Sequence, residues 1–155
     1  MQHIIKKAEV LIEAIPYIRK FRHTVTVVKL GGSLEDNGRA ITEILKDIIF
    51  LSSVGIKVVL IHGGGRRISA RMAQAGLQPE FVDGLRVTNK AVIKIVKKTL
   101  YERNLELTRQ IKHLGWKARS LCGKRNEIIW ADKLRPQGKD IGFTVQDFME
   151  NSNLS

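Results

Sequence analysis

Two apolar runs in the first half of the chain stand out because each stops abruptly at glycine residues. The first run, residues 24–30 (TVTVVKL), ends at Gly31-Gly32, and the second, residues 57–61 (KVVLI), leads through His62 into Gly63-Gly64-Gly65. Their length and β-branched content predict two strands. The nearly unbroken apolar character of the second run predicts a strand covered on both faces, as in a parallel sheet.

Helical spacing of apolar residues flanks these two runs. The predicted helices cover residues 4–21, 37–53 and 66–75. Pro16 predicts a kink or break in the first helix, and Gly55 and Gly76 are expected to end the other two. A strand–helix–strand unit of this kind has a right-handed crossover and brings its strand ends to one sheet edge, where open α/β sheets bind ligands. We therefore expect both glycine turns at that edge.

The second half of the chain is less regular. Residues 81–88 predict a loop or short hairpin around Gly84, and Thr88 or Asn89 can cap the helix that follows. Further predicted elements are two helical patterns (92–100 and 105–114), two short strands (116–121 and 128–131) and a disordered tail (151–155).

Length and composition favour one folded domain. The chain has 155 residues, of which 43% are hydrophobic, and no apolar run is long enough to span a membrane. The N-terminus lacks the pattern of a secretory signal, and Cys122 is the only cysteine, which excludes an internal disulfide. These features predict a cytoplasmic protein.

A net charge of +12 adds a question about partners. The stretch from Arg86 to Arg125 contains twelve Lys or Arg residues and only two acidic residues, Glu102 and Glu106. A basic surface can bind nucleic acid, attract small anions, or be solvated. The stretch has no zinc-finger spacing and no RNA-binding aromatic motif, so nucleic-acid binding is the least favoured interpretation.

The glycine turns can expose backbone N–H groups to a phosphate or carboxylate, and the helix that follows adds partial positive charge. One such turn is weak evidence, since glycines often only make a bend; two at one sheet edge favour an anion-binding cradle. The chain contains neither G-x-x-x-x-G-K-[ST] nor G-x-G-x-x-G. A P-loop NTPase and an ordinary dinucleotide-binding dehydrogenase are therefore disfavoured.

Two cations are candidates for chemistry beside these turns. Lys29 ends an apolar strand, which favours a cation aimed at transferring phosphoryl oxygens over a snorkelling surface lysine. Arg86 can hold a carboxylate with its two-pronged guanidinium, although an exposed loop arginine explains it equally well. Arg66 and Arg67 are interpreted as solvated helix residues and His62 as a hydrogen-bonded structural histidine. No spacing of His, Cys, Asp or Glu predicts a metal site built by protein alone.

Three segments together resemble the acetylglutamate kinase family of the amino-acid kinase superfamily. They are VVKLGGS at residues 27–33, VVLIHGGG at 58–65 and FVDGLRVT at 81–88. The resemblance covers the N-terminal half of that family and about residues 8–143 of this chain. It implies a three-layer αβα sandwich with a mainly parallel sheet. The implied organisation is an N-terminal helix (1–22), an acetylglutamate-binding half (23–143) and a divergent, disordered tail (144–155).

The resemblance also implies a reaction and a site. Family members use MgATP to phosphorylate the side-chain carboxylate of N-acetyl-L-glutamate in arginine biosynthesis. By this resemblance, Lys29 is the catalytic lysine and Arg86 holds the substrate's α-carboxylate. The implied substrate-binding glycines are Gly64 and Gly65, and the implied phosphate-binding glycines are Gly31, Gly32 and Gly63.

The resemblance leaves several alternatives open. In family members, a second half of the protein holds ATP, and that half has no counterpart in this chain. We therefore expect a truncated chain that is inactive alone. The alternatives are a non-catalytic module that binds acetylglutamate or another small anion, and a relative that uses an aminoadipate derivative. A homo-oligomer formed through the N-terminal helix and the sheet is also expected, because one edge or face of the sheet should lie uncovered.

Overall fold

The computed structural model describes residues 2–31, 34, 37–121, 135, 138 and 140–142. The elements in these ranges are α1 (Gln2–Phe21), β1 (Val25–Leu30), α2 (Gly38–Ser53), β2 (Lys57–His62), α3 (Gly65–Gln74), β3 (Phe81–Val82), β4 (Leu85–Arg86) and α4 (Lys90–His113). The chain divides into a first unit, Met1–His62 with Gln110–Trp116, and a second unit, Gly63–Arg109 with Lys117–Ser155. Each unit is described by itself.

The sheet of the first unit is the predicted parallel pair. β1 and β2 pair from Val25 opposite Lys57 to Leu30 opposite His62, so both strands end at the same level. Between them, α2 begins after Asn37, whose side chain accepts a hydrogen bond from the Ala40 amide at 3.1 Å. This polar cap explains why the helix starts where the sequence predicts. The α/β class with a parallel sheet is confirmed.

The sheet buries one face and exposes the other. The buried side chains of this unit are those of Leu30, Ile41, Leu45, Ile48 and Ile56. On the opposite face, Val25, Val27 and Lys29 are exposed, and Val59 and Ile61 remain 38% and 40% exposed. The prediction that β2 is covered on both faces is therefore wrong for the described residues. Successive side chains of a strand point to opposite faces, so α2, which packs on β2, can bury only one of them.

The N-terminal helix α1 runs through Pro16 without a break, so of the predicted kink or break, the break is wrong and the kink stays a prediction. Proline removes only its own N–H, and the turns on either side continue the helix. Most of the predicted apolar stripe is not packed against the described chain: Leu11 is 67% exposed and Ile12 is 65% exposed.

In the second unit, a short hairpin follows α3. β3 and β4 pair antiparallel, with Phe81 opposite Arg86 and Val82 opposite Leu85. The two turn residues have left-handed backbones, with φ of 50° at Asp83 and 76° at Gly84. Positive φ at both central positions suits the tight turn of a two-residue hairpin, and Asp-Gly supplies it at low cost. The hairpin predicted around Gly84 is confirmed.

The two helical patterns predicted after the hairpin form one helix, α4. No glycine or proline stands between the two patterns, so nothing in the local sequence ends the first one. Asn89 caps α4, because its Oδ1 accepts hydrogen bonds from the amides of Ala91 at 3.0 Å and Val92 at 2.9 Å. On the inner side, Val92 packs with Ile68 and Met72 of α3 in a buried core.

The strand predicted over residues 116–121 is wrong, since this segment has no regular structure. Side-chain hydrogen bonds hold its end instead: Ser120 Oγ donates to Asn104 Oδ1, and Asn104 Nδ2 donates to the Leu121 carbonyl at 3.5 Å. Such bonds replace the ladder that a strand requires. The strand predicted over 128–131, Cys122, Gly32 and the tail over 144–155 lie outside the described residues.

Candidate anion-binding site

Lys29 is the second-last residue of β1 and lies opposite Ile61 of β2. Its side chain is exposed on the same outward face as Val27, and within the described part of the chain no hydrogen bond or ion pair reaches its ammonium group. Beyond the strand end, a Cβ atom on Gly31 would meet nothing within 4 Å. The described packing therefore does not require glycine at this position.

The second glycine turn leads directly into α3. Gly63 is exposed, Gly64 is the buried N-cap, and Gly65 is the exposed first residue of the helix. A Cβ atom on Gly64 would lie 2.8 Å from Leu100 Cδ2, whereas one on Gly65 would meet nothing within 4 Å. Gly64 is thus explained by a close approach of α4, and Gly65 is not explained by packing. Within the described residues, the N-cap Gly64 makes no side-chain cap hydrogen bond. The N-terminus of a helix carries partial positive charge.

Arg86, on β4, reaches the first turns of α3. Its Nη2 donates to Ser69 Oγ at 2.8 Å and to the Gly65 carbonyl at 3.2 Å. Its Nη1 lies 3.2 Å from Met72 Sδ, and its Cζ lies 4.7 Å from the centre of the Phe81 ring. Burial lowers the pKa of Arg86, because desolvation disfavours the charged form, but a guanidinium stays protonated at neutral pH. The structure therefore brings together two of the predicted residues, Gly65 and Arg86.

The hairpin fixes where Arg86 lies. Its register sets Phe81 directly opposite Arg86, and the Val87 amide extends the pairing with a 2.9 Å bond to the Glu80 carbonyl. The hydroxyl of Thr88 donates to the Arg86 carbonyl at 2.9 Å. Both the backbone and the guanidinium of Arg86 are therefore held in place. Arg86 lies in strand β4 and is not the exposed loop arginine that the sequence also allowed.

A distant segment anchors the residue that follows this strand. The Thr88 amide donates to the Ile141 carbonyl at 2.8 Å, and Thr88 forms a parallel bridge with Gly142. Gly142 has φ of 87°, and a Cβ atom there would clash with the Thr88 carbonyl oxygen. Glycine is therefore required at position 142, and Thr88 is a structural member of the segment that carries Arg86.

Ion pairs join α3 to α4 within the second unit. Glu106 accepts from Arg67 at 2.7 Å and from Arg103 at 2.8 Å, and Arg71 pairs with Glu102. The interpretation of Arg67 as a solvated helix residue is therefore wrong, because it pairs with the carboxylate of Glu106, 39 residues later in the chain. Burial alone would raise the pKa of Glu106, but the hydrogen bonds and charges of Arg67 and Arg103 lower it below its ordinary range.

Sequence reasoning missed the residues that surround Arg86. Ser69 follows Gly65 by one helical turn, and Phe81 pairs with Arg86 once the hairpin register is assumed, so these two had a weak signal. Met72 had none beyond its apolar spacing. His62 is half-buried at the end of β2 and does have an interaction partner, but its structural role stays a prediction.

Among the described residues, no group of three or more His, Cys, Asp or Glu side chains is arranged to hold a metal ion. None of the described helices is both long and apolar enough to cross a membrane.

The amino acid kinase family matches this chain over residues 24–153. The match covers most of the chain, including both glycine turns, Lys29 and Arg86. The chain therefore belongs to the amino acid kinase family.

Within that family, the chain is similar to acetylglutamate kinases. It is 42% identical over 129 residues to the acetylglutamate kinase of Campylobacter jejuni, covering 83% of this chain and 46% of that protein. It is 40% identical over 151 residues to that of Campylobacter hominis, covering 97% of this chain and 52% of that protein. The chain thus spans about half the length of the curated relatives it matches.

A solved structure also resembles the chain. The N-acetylglutamate synthase of Neisseria gonorrhoeae, complexed with coenzyme A and N-acetyl-glutamate, matches with a TM-score of 0.64 at 26% identity. The match covers 87% of this chain and 31% of that chain.

Proposed function

We propose that this chain carries the acetylglutamate-binding part of an acetylglutamate kinase, which phosphorylates the side-chain carboxylate of N-acetyl-L-glutamate in arginine biosynthesis. The observation that carries the proposal is the guanidinium of Arg86, fixed against Gly65 and Ser69 at the first turns of α3. Similarity of about 40% to acetylglutamate kinases supports the choice of substrate.

In this proposal, the second unit binds the substrate. Arg86 holds the α-carboxylate through its planar fork, which matches the two carboxylate oxygens. The N–H groups of Gly64 and Gly65, at the positive end of α3, donate to further oxygens of the ligand. No described atom would obstruct a Cβ at Gly65, so a ligand can approach its backbone closely.

The first unit supplies the proposed catalytic cation. Lys29 stabilises the charge on the transferring phosphoryl oxygens, and Gly31 and Gly32 contact phosphate with their backbone N–H groups. Gly63, which belongs to the second unit, is also proposed to contact phosphate. The exposed side chain of Lys29 and the open space beside Gly31 fit a phosphate. MgATP, when bound, supplies the phosphoryl group. The described residues offer no carboxylate cluster for magnesium, so we expect the ion to arrive with the nucleotide phosphates.

For the 155-residue chain by itself, we propose binding without turnover. Phosphoryl transfer depends on holding both reactants in place, and this chain spans about half the length of its acetylglutamate kinase relatives. Robust formation of acetylglutamate phosphate by the purified chain would contradict this part of the proposal.

Calorimetry tests the binding proposal, with N-acetyl-L-glutamate and ATP titrated separately into the purified chain. We expect saturable heat with acetylglutamate and a loss of affinity of about tenfold or more in Arg86→Ala, because a charged hydrogen-bonding partner is removed. Arg39→Ala is the matched control, since Arg39 is an exposed arginine on α2. No heat at millimolar acetylglutamate, or equal losses in both variants, would overturn the proposal.

The partner proposed for α1 is a second copy of the chain. Its apolar residues Val10, Leu11 and Ile12 are more than half exposed, and burying them would gain roughly 1.5–3 kcal/mol per large side chain. Sedimentation velocity of wild type, Leu11→Glu and the control Lys7→Glu tests this. We expect an oligomer that dissociates in Leu11→Glu and persists in Lys7→Glu; a wild-type monomer would overturn it.

A further inference from the structure

We infer that Ser69 is a positioning residue for Arg86, and that its hydroxyl sets the orientation in which the guanidinium receives the α-carboxylate of acetylglutamate. The inference rests on the proposed function of Arg86. Ser69 itself has no assigned role, and it acts through Arg86 rather than by touching the ligand.

The hydroxyl of Ser69 is oriented by the helix that carries it. It donates its hydrogen to the Gly65 carbonyl, one turn earlier, at 3.1 Å. A serine hydroxyl has one donor and two acceptor lone pairs. With the hydrogen directed along α3, the oxygen is left to accept, and it accepts from Arg86 Nη2 at 2.8 Å. Because Nη2 also donates to the Gly65 carbonyl at 3.2 Å, the three groups form a closed set of hydrogen bonds.

Other neighbours restrain Arg86 less specifically. The Phe81 ring supports one face of the guanidinium, with the Cζ atom 4.7 Å from the ring centre, but a ring face permits rotation in its plane. The buried thioether of Met72 lies 3.2 Å from Nη1, yet sulfur is a weak acceptor. Ser69 adds a directional bond to a charged donor, and such bonds are roughly twice as strong as neutral ones.

Fixing the orientation matters for affinity. A free arginine side chain has considerable rotamer entropy, which a ligand must remove when it binds an unrestrained guanidinium. A guanidinium already held in place avoids this cost, so a residue that never touches the ligand can still raise its affinity. The effect should appear only with ligands that use Arg86.

Two ligands that differ by one carboxylate test the inference. N-acetyl-L-glutamate carries the α-carboxylate, and 4-acetamidobutanoate is the same molecule without it. In calorimetry on the full chain, we expect Ser69→Ala to weaken acetylglutamate binding by about tenfold and to leave 4-acetamidobutanoate binding unchanged. Ser69→Thr, which keeps the hydroxyl, should stay within about twofold of wild type. Ser53→Ala, which removes a helical serine of the first unit, is the control.

The outcomes separate the inference from the proposed function. If Arg86→Ala leaves acetylglutamate binding unchanged, the proposed function fails. If Arg86→Ala abolishes the preference for acetylglutamate while Ser69→Ala keeps it, the inference fails and the proposed function stands. Equal weakening of both ligands by Ser69→Ala also overturns the inference, because it indicates general damage to the fold.

A second readout needs no ligand. In nuclear magnetic resonance spectra of the chain with isotope-labelled arginine, we expect Arg86 to show slow rotation of its guanidinium in wild type and in Ser69→Thr. The rotation should become fast in Ser69→Ala. Identical spectra for the three proteins would overturn the inference whatever the calorimetry shows.

Discussion

The two units hold their proposed functional cations in opposite ways. In the second unit, Arg86 is fixed by a hydroxyl, a carbonyl, a thioether and an aromatic ring. In the first unit, Lys29 projects from a strand whose outward face is exposed, and no hydrogen bond or ion pair within the described residues restrains it. A preorganised guanidinium suits recognition of one carboxylate in a fixed position. An unrestrained ammonium group can adjust its position to the charge on a phosphoryl group during transfer.

The units also differ in what stabilises them. The first unit relies on an apolar core around Leu45, a side chain with no exposed surface. The second has a buried apolar cluster of Ile68, Met72 and Val92, ion pairs that join α3 to α4, and a pair within α4 between the buried Arg103 and Glu106. Apolar burial positions the strands of the first unit, whereas directional polar contacts position Arg86, the proposed substrate-binding side chain of the second.

The largest expected effect is in the apolar core of the first unit. Leu45→Ala should lower the free energy of unfolding by about 2–5 kcal/mol, because it removes a fully buried side chain and leaves a cavity. Phe50→Ala, on the same helix but 54% exposed, should cost under about 1 kcal/mol. Urea unfolding followed by circular dichroism measures both. Equal losses would show that the core does not lie where the fold places it.

Removing the carboxylate of Glu106 tests how much its ion pair with Arg103 contributes to the stability of the second unit. Glu106→Gln leaves the guanidinium of Arg103, only 2% exposed, without its carboxylate, which should cost about 1–3 kcal/mol. The double variant Arg103→Met/Glu106→Gln removes the buried charge as well, so it should be more stable than Glu106→Gln alone. A double variant that is less stable by the full sum of two separate losses would contradict coupling between these side chains.

The pH dependence of the free energy of unfolding tests the same ion pair, Arg103–Glu106. The pKa of Glu106 is lower in the folded protein than its ordinary value of 4.5, so the unfolded chain binds the proton more readily. Its contribution to stability should be complete above about pH 4.5 and should be lost as the pH falls below that value. The difference in free energy of unfolding between wild type and Glu106→Gln should therefore be smaller in acid than at neutral pH. The decrease should be less than the whole neutral-pH difference, so some of the difference should remain. A difference in free energy of unfolding that increases in acid would contradict the lowered pKa of Glu106.

The smallest expected effect concerns an exposed ion pair on α2. Lys46 and Glu43 lie 2.8 Å apart with side chains 54% and 61% exposed, and such pairs contribute roughly 0.3–0.5 kcal/mol. Lys46→Ala should change the free energy of unfolding by no more than about 0.5 kcal/mol at moderate salt. A loss comparable to that of Glu106→Gln would remove the contrast between exposed and buried pairs.

Local signals in the sequence located most elements correctly. The glycine turns ended β1 and β2, Asn37 and Asn89 marked helix starts, and Asp83-Gly84 marked the hairpin, because each acts on its own backbone. The errors came where the decision is not local. Whether β2 is covered on both faces depends on which elements pack on it.

The site was predicted less completely than the fold. Motifs named Arg86, Gly64 and Gly65 as candidates, which stay predictions, whereas Ser69 and Met72 contact Arg86 from α3. The spacing of Ser69 from Gly65 gave only a weak signal of that contact, and Met72 gave none beyond its apolar spacing. Gly142 is the same case, since its need for glycine comes from the Thr88 carbonyl, which lies far away in the chain.

The most direct test of the central claim is the change in backbone amide resonances when N-acetyl-L-glutamate is added to the isotope-labelled chain. We expect the largest changes at Gly64, Gly65 and Arg86, with little change in the exposed residues of α1. No change at millimolar ligand, or changes confined to the exposed lysines of α4 such as Lys94 and Lys98, would contradict the account.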